Sequence, residues 1–255
     1  MTIAGRIAAP VGAVGGFFAM ALDALVLSFR PPWAWREFLS QTWFVVRVSI
    51  WPTIFMAIPF VVLASYTLNI LFVEFGAADL SGAGVALGVV TQGGPIVSVL
   101  VISGAAATAM CADLGSRVIR EEVDALRVLG INPIQALVVP RILATTLVSV
   151  LLSAIVTITG ITAAYFFSVF LQHITPGAFV AGLPLLVGLP EVVICLVKAA
   201  LFGVAGGLIG CYKGISVGGG PAGVGNAVNE TVVYTFLALF VIDVFVTAIG
   251  VKATL

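Results

Sequence analysis

The chain has 255 residues, 61% of them hydrophobic and 9% charged, whereas a typical soluble domain carries about 25% charged residues. With a mean hydropathy of +1.24, lipid rather than water has to cover the fold. Lys and Arg number 11 and Asp and Glu 11, so no net basic field exists to draw nucleic acid, and that partner class is excluded.

Residues 1–47 form an N-terminal segment in which Val11 to Phe29 is apolar but contains Asp23. Asp23 would cost about 2.5–3.5 kcal/mol near a bilayer centre. The stretch reads as a helix lying in the interface, with a sixth span or a cleaved signal as the alternatives. Trp33, Trp35 and Arg36 follow as headgroup-level anchors.

Five charge-poor stretches come next, within residues 48–255. Val48 to Val73 carries no charge and holds Pro52 and Pro59, and it is long enough to cross a hydrocarbon core of about 30 Å. Leu80 to Ala112 is a second span, bent or broken at Gly94-Pro95. A third begins at Ile142 and ends before Gln172-His173, while Ala178 to Leu189 is too short to cross and reads as a surface or re-entrant segment. Span four, about Val192 to Tyr212, contains Lys198; span five, about Thr231 to Val251, contains Asp243. A glycine-rich turn over Gly214 to Asn226 joins them.

An N-terminus on the cytoplasmic side places Arg6, Arg30, Arg36, Arg47, Arg117, Arg120, Arg127, Arg141 and Lys213 there, nine of the 11 basic residues. The positive-inside rule then sets the C-terminus outside. The reading is an all-α, multi-pass protein of the cytoplasmic (inner) membrane.

Chemical sites are sparse. His173 is the single histidine, and Cys111, Cys195 and Cys211 lie in apolar stretches without CxxC spacing, so neither a metal site nor a disulfide framework is expected. GxxxxGK[ST] is absent, so ATP and its magnesium have to be bound by another chain. Neither a catalytic residue nor a cofactor is assigned to this one. Glu191, Lys198 and Asp243 are the notable intramembrane charges. Lys198 reaches Glu191 only over two helical turns, whereas a buried pair with Asp243 would neutralise both groups; a part in headgroup binding or gating is the alternative. Tyr66, Asn69 and Phe72 in span one and Phe236 and Phe240 in span five could line a lipid-sized cavity or merely face lipid.

One segment, about 116–130, is strongly charged. Read as a helix it sets Ile119, Val123, Leu126 and Leu129 on one side and Arg120, Glu121, Asp124 and Arg127 on the other, with Glu122 beside them. Gly130-Ile131-Asn132-Pro133 is a stop signal. It is either a connector or a docking helix for a separate ATPase.

Glu121-Glu122-Val123-Asp124-Ala125-Leu126-Arg127-Val128-Leu129-Gly130-Ile131-Asn132-Pro133, followed by Pro140-Arg141, resembles the signature of the MlaE/YrbE permeases. Gly94-Pro95-Ile96-Val97, Gly104-Ala105-Ala106, Lys198, Gly223-Val224-Gly225 and Asp243-Val244-Phe245-Val246-Thr247-Ala248 extend the likeness over roughly residues 45 to 252. It departs where many relatives carry an Arg-Glu pair and this chain has Thr91-Gln92-Gly93, and an Arg in the Gly-Ala run is missing at Ala105-Ala106. The Gly218-Gly219-Gly220-Pro221 loop is similar to that of actinobacterial YrbE proteins accompanying Mce proteins.

The resemblance implies an ABC permease for phospholipid, fatty acid or sterol. Implied partners are a cytoplasmic ATPase, a second permease (identical or a paralogue) and MCE-domain proteins outside, with the ATPase contacted through the 117–130 helix. A secondary transporter or a structural assembly subunit is the alternative, although five spans do not divide into two repeats.

Overall fold

A chain immersed in lipid has to satisfy its own backbone, and a helix does so within one segment. In the computed structural model, which describes residues 3–254, all regular structure among the described residues is helical. The helices are α1 (Ile3–Ser28), α2 (Trp35–Glu74), α3 (Ser81–Gly88), α4 (Gly94–Val101), α5 (Ala107–Ile119), α6 (Glu122–Val128), α7 (Val139–Phe170), α8 (Pro176–Gly182), α9 (Leu189–Ile215) and α10 (Gly220–Thr254). Five rods are long and apolar enough to cross a membrane: α2, Ala78–Ile119, Ile134–Phe170, α9 and Gly220–Gly250 of α10.

The expected spans are all present, but their ends move outward. Span one starts at Trp35 rather than Val48, and α2 runs unbroken through Arg47, Pro52 and Pro59. A division at 47/48 therefore falls inside one helix. At 40 residues that helix is about 60 Å long, twice the hydrocarbon thickness, so its charged first turns stand clear of the core. Charge marks where lipid ends, which is not where a helix ends.

The second rod bends where expected, by a specific device. Val89–Gly93 forms a wide π-turn directly before α4, and a second one occupies Ile102–Ala106. Pro95 has no N–H to donate back, and a widened turn accommodates that gap.

The glycine-rich joint is a correction. Rather than a loop over Gly214 to Asn226, only residues 216–219 are turn, and Gly223-Val224-Gly225 is helical. Gly219 and Gly220 take φ of 82° and 76°, which reverses the chain, and Pro221 then fits the opening turn of α10.

Packing uses small residues in regular rows. In α2 the buried positions are Gln41, Val45, Ser49, Thr53, Ala57, Val61, Ser65 and Asn69, one every fourth residue. The facing row of α7 runs Ala144, Val148, Leu152, Val156, Gly160, Ala164 and Ser168. In lipid, such close backbone approach supplies the association that hydrophobicity cannot. On α9, a Cβ at Gly203 would lie 2.4 Å from the Thr146 Cα of α7, and one at Gly210 would lie 2.7 Å from the Ala107 carbonyl oxygen of α5.

At the far end, α8 closes over α3. Phe179 is fully buried, and a Cβ on Gly82 would collide with its carbonyl oxygen. The segment after Pro176 is thus a surface cap and does not cross, as its length predicts. α1 packs at the opposite end, where Met20 and Ala24 are buried. Ala24 joins Leu114, Val123, Leu137 and Val138 in one cluster, and Asp23 stays exposed. That placement agrees with a helix lying along the membrane surface.

Candidate functional site

The charged segment is an elbow rather than one helix over 117–130. α5 stops at Ile119, and Glu121 takes a left-handed φ of 59°, a conformation that costs a side-chain-bearing residue about 1 kcal/mol. α6 then runs for 7 residues. Gly130 ends it at φ 74°, the Ile131 N–H returns to the Leu126 carbonyl at 2.9 Å, and the Asn132 side chain accepts the Ile134 N–H at 2.9 Å. The stop signal works as the sequence predicts.

The elbow's apolar side is a second correction. Val123 is 3% exposed and packs with Ala24, Leu114 and Leu137, with Leu126 against the same cluster. These two side chains fix the elbow to its own bundle. Val128 and Leu129, 87% and 73% exposed, are the most exposed apolar groups of the elbow. Around them Arg120 pairs with Glu122 at 2.9 Å and Arg127 with Asp124 at 2.7 Å, all well exposed. Pairs of this kind hold register and contribute at most about 1 kcal/mol.

Just inside the elbow lies a hub that sequence reasoning missed. Arg141 is wholly buried, with Nη2 2.5 Å from Asp113 of α5 and Nη1 3.5 Å from Glu37 of α2. Nη1 also donates to the Leu137 carbonyl at 2.8 Å, and Arg117 approaches Asp113 at 3.5 Å. Glu37 in turn accepts from the Gln41 amide at 3.0 Å. One guanidinium therefore ties three rods together beneath the elbow. The available signal was that Glu37, Asp113 and Arg141 each sit at the end of a span on the same side of the membrane.

Deeper in the bundle, Lys198 and Asp243 meet as the sequence suggests: Nζ lies 3.0 Å from Oδ1, with the side chains 2% and 8% exposed. Nζ also donates to the Thr91 carbonyl at 3.0 Å. In a regular helix that carbonyl would receive the N–H of residue 95, which is proline. The lysine stands in for the missing donor. Glu191 remains at the start of α9, accepting the Gly188 N–H at 2.8 Å, so it is not the lysine's partner. Glu191 and Lys198 border a cleft of about 150 Å³ that Thr91, Cys195 and Thr247 also line.

The five candidate lipid-pathway residues do not gather around one cavity. Tyr66 packs edge-on against Phe167 at 5.8 Å, Phe72 covers Gly84, and Phe236 and Phe240 pair with each other at 5.8 Å on α10. Asn69 is fully buried in a network. Its amide donates to Ser168 at 2.8 Å and to Gln172 at 2.5 Å, and its oxygen accepts from Ser81 at 2.5 Å. A cleft of about 210 Å³ between α2 and α3 is lined instead by Phe60, Ala64, Leu68, Val89 and Gln92. Replacing Asn69 with alanine is expected to cost about 1–2 kcal/mol, since three helices lose a shared partner. Thermal unfolding in detergent measures this, and an unchanged midpoint would remove the network from the account.

Comparison with known proteins gives this geometry its context. Residues 38–249 match the family described as Permease MlaE. A probable ABC transporter permease protein of Synechocystis is 31% identical over 72% of this chain and 70% of its own length. One from Rickettsia typhi is 27% identical over 94% of this chain and 92% of its own. The Arabidopsis thaliana protein named TRIGALACTOSYLDIACYLGLYCEROL 1, chloroplastic, is 27% identical over 68% of this chain and 49% of its own. ABC permeases leave ATP hydrolysis to a separate subunit, as a chain without a phosphate-binding loop requires. With a multi-pass bundle, an elbow at one end and a family match over most of its length, the chain belongs to the MlaE permease family.

Proposed function

We propose that this permease moves a lipid across or out of the cytoplasmic membrane, importing it with MCE-domain proteins on the outer side and a second permease beside it. The observation that carries the reading is the α5–α6 elbow, which offers exposed charges and two apolar side chains at the end of the bundle richest in arginine. Arg30, Arg36, Arg117, Arg120 and Arg127 lie at that end, and Glu74, Asp79 and Glu191 at the other. Such a distribution supports a cytoplasmic elbow and an external C-terminus. One relative is named for a galactolipid, which supports lipid as the cargo class.

The ATPase, with its Mg-ATP, docks on this elbow. Val128 and Leu129 enter its groove, while Arg120, Glu121, Glu122, Asp124 and Arg127 set orientation. Val128→Asp together with Leu129→Asp is expected to lower ATPase recovery in co-purification at least 10-fold without moving the permease's melting temperature. Leu126→Ala is a poorer probe, because Leu126 packs on the permease itself. Full ATPase recovery and undiminished lipid-stimulated hydrolysis with the double aspartate variant would end this assignment.

A further inference from the structure

Outside the bundle, between the end of α1, the 30–35 strap and the first turns of α7, lies a cleft of about 230 Å³ that no part of the transport reading uses. Its walls are Leu27, Trp33, Phe38, Val139, Leu143 and Leu147, and Arg30 is the only charged residue among those lining it. No acid pairs with Arg30 among the described residues, and neighbouring Arg36 is likewise unpaired; the nearby carboxylates of Glu37 and Asp113 are engaged with Arg141.

The cleft is built rather than incidental. Gln135 donates to the carbonyls of Arg30 and Pro32 at 3.1 and 3.4 Å, pinning the strap over the start of α7. Trp33 and Trp35 pack at 5.3 Å and are 53% and 58% exposed, which places indoles at headgroup level. From there the apolar wall runs along α7 from Val139 to Leu147, about 12 Å at 1.5 Å per residue. Leu143 and Leu147 are 42% and 44% exposed on a rod that crosses the membrane, so the upper end of the cleft opens to acyl chains.

We propose that this cleft holds an anionic phospholipid of the surrounding bilayer, its phosphate on Arg30 and one acyl chain along Leu143 and Leu147. Charge complementarity selects the headgroup, because an unpaired guanidinium at the mouth favours a net negative lipid over a zwitterionic one. Continuity with the lipid-facing side of α7 selects a bilayer molecule over a peptide. The bound lipid is a fixed ligand of the N-terminal strap and not cargo, since it sits on the outer surface, apart from Lys198 and Asp243.

The test uses the full permease complex in nanodiscs of phosphatidylcholine doped with phosphatidylglycerol, each lipid in turn carrying a photoactivatable acyl chain. Phosphatidylglycerol should label the peptides 27–38 and 139–147 about five-fold more than phosphatidylcholine. Arg30→Gln should abolish that preference, Arg30→Lys should keep most of it, and Leu143→Trp, which fills the cleft, should reduce labelling by both lipids. Equal labelling by the two lipids would overturn the proposal. So would labelling spread evenly over the outer faces of α2 and α10, as for ordinary boundary lipid, or a partner subunit cross-linking at 27–38 in place of lipid. Lipid retention is read without transport, so this outcome is independent of whether the complex moves lipid.

Discussion

Replacing Lys198 with methionine is expected to destabilise the permease by about 3–5 kcal/mol, enough to lose most folded protein. Asp243, whose side chain is 8% exposed, would be left as an uncompensated carboxylate inside a span, and the Thr91 carbonyl would lose its donor at the same time. Asp243→Leu should be comparably severe, because an ammonium would then be stranded. The double variant Lys198→Met with Asp243→Leu removes both charges and should recover much of the loss, since apolar groups of similar volume can replace a buried pair with little penalty. Thermal unfolding of the purified variants distinguishes these expectations. Single variants that melt within a degree or two of the parent would refute the buried-pair account. A stable double variant that no longer supports lipid-stimulated ATP hydrolysis would show that the pair acts in transport as well as in holding α9 to α10.

Gly203→Leu should be the most damaging change without any charge involved. Its Cβ would lie 2.4 Å from the Thr146 Cα and 2.6 Å from the Thr145 carbonyl oxygen, and backbone cannot swing aside as a side chain does. α7 and α9 would have to separate along their shared seam, at a cost of about 3 kcal/mol or more. Gly225→Ala is the matched control, since nothing lies within 4 Å of a Cβ there. It should change stability by less than about 0.5 kcal/mol or raise it slightly, because alanine favours helix. The readout is the monodisperse fraction on size exclusion, together with the melting temperature. Similar behaviour of the two variants would mean that the α7–α9 approach is looser than its geometry indicates.

Legibility in the sequence followed physical range. Charge-free stretches named the spans because desolvation is a local property of each residue, but they could not fix helix ends, which depend on backbone bonding that continues past a charge such as Arg47. The stop at Gly130 was readable because glycine and proline act on their own neighbourhood. The break at Glu121 was not, since Arg120-Glu121 contains neither glycine nor proline and its left-handed turn is imposed by Val123 seating against Ala24 and Leu137. Likewise Lys198 and Asp243 could be matched because each is the lone charge within its span. Arg141 finds Glu37 and Asp113 across long stretches of chain, a meeting that only the fold arranges. The polar residue Asn69 shows the opposite hazard: in a span it suggested a pathway, and it is a structural junction.

The elbow occurs once per chain, at one end of a bundle that crosses five times. Two copies inserted the same way round can be related only by a rotation about the membrane normal, never by an axis lying in its plane. Such a rotation brings both elbows to one surface at equal depth, each turned half a circle from the other. If the proposed second permease is an identical copy and the ATPase docks as proposed, a soluble dimer that grips both elbows has to share that twofold axis, with one groove per elbow. A single soluble subunit per permease pair would leave one elbow bare and break that symmetry.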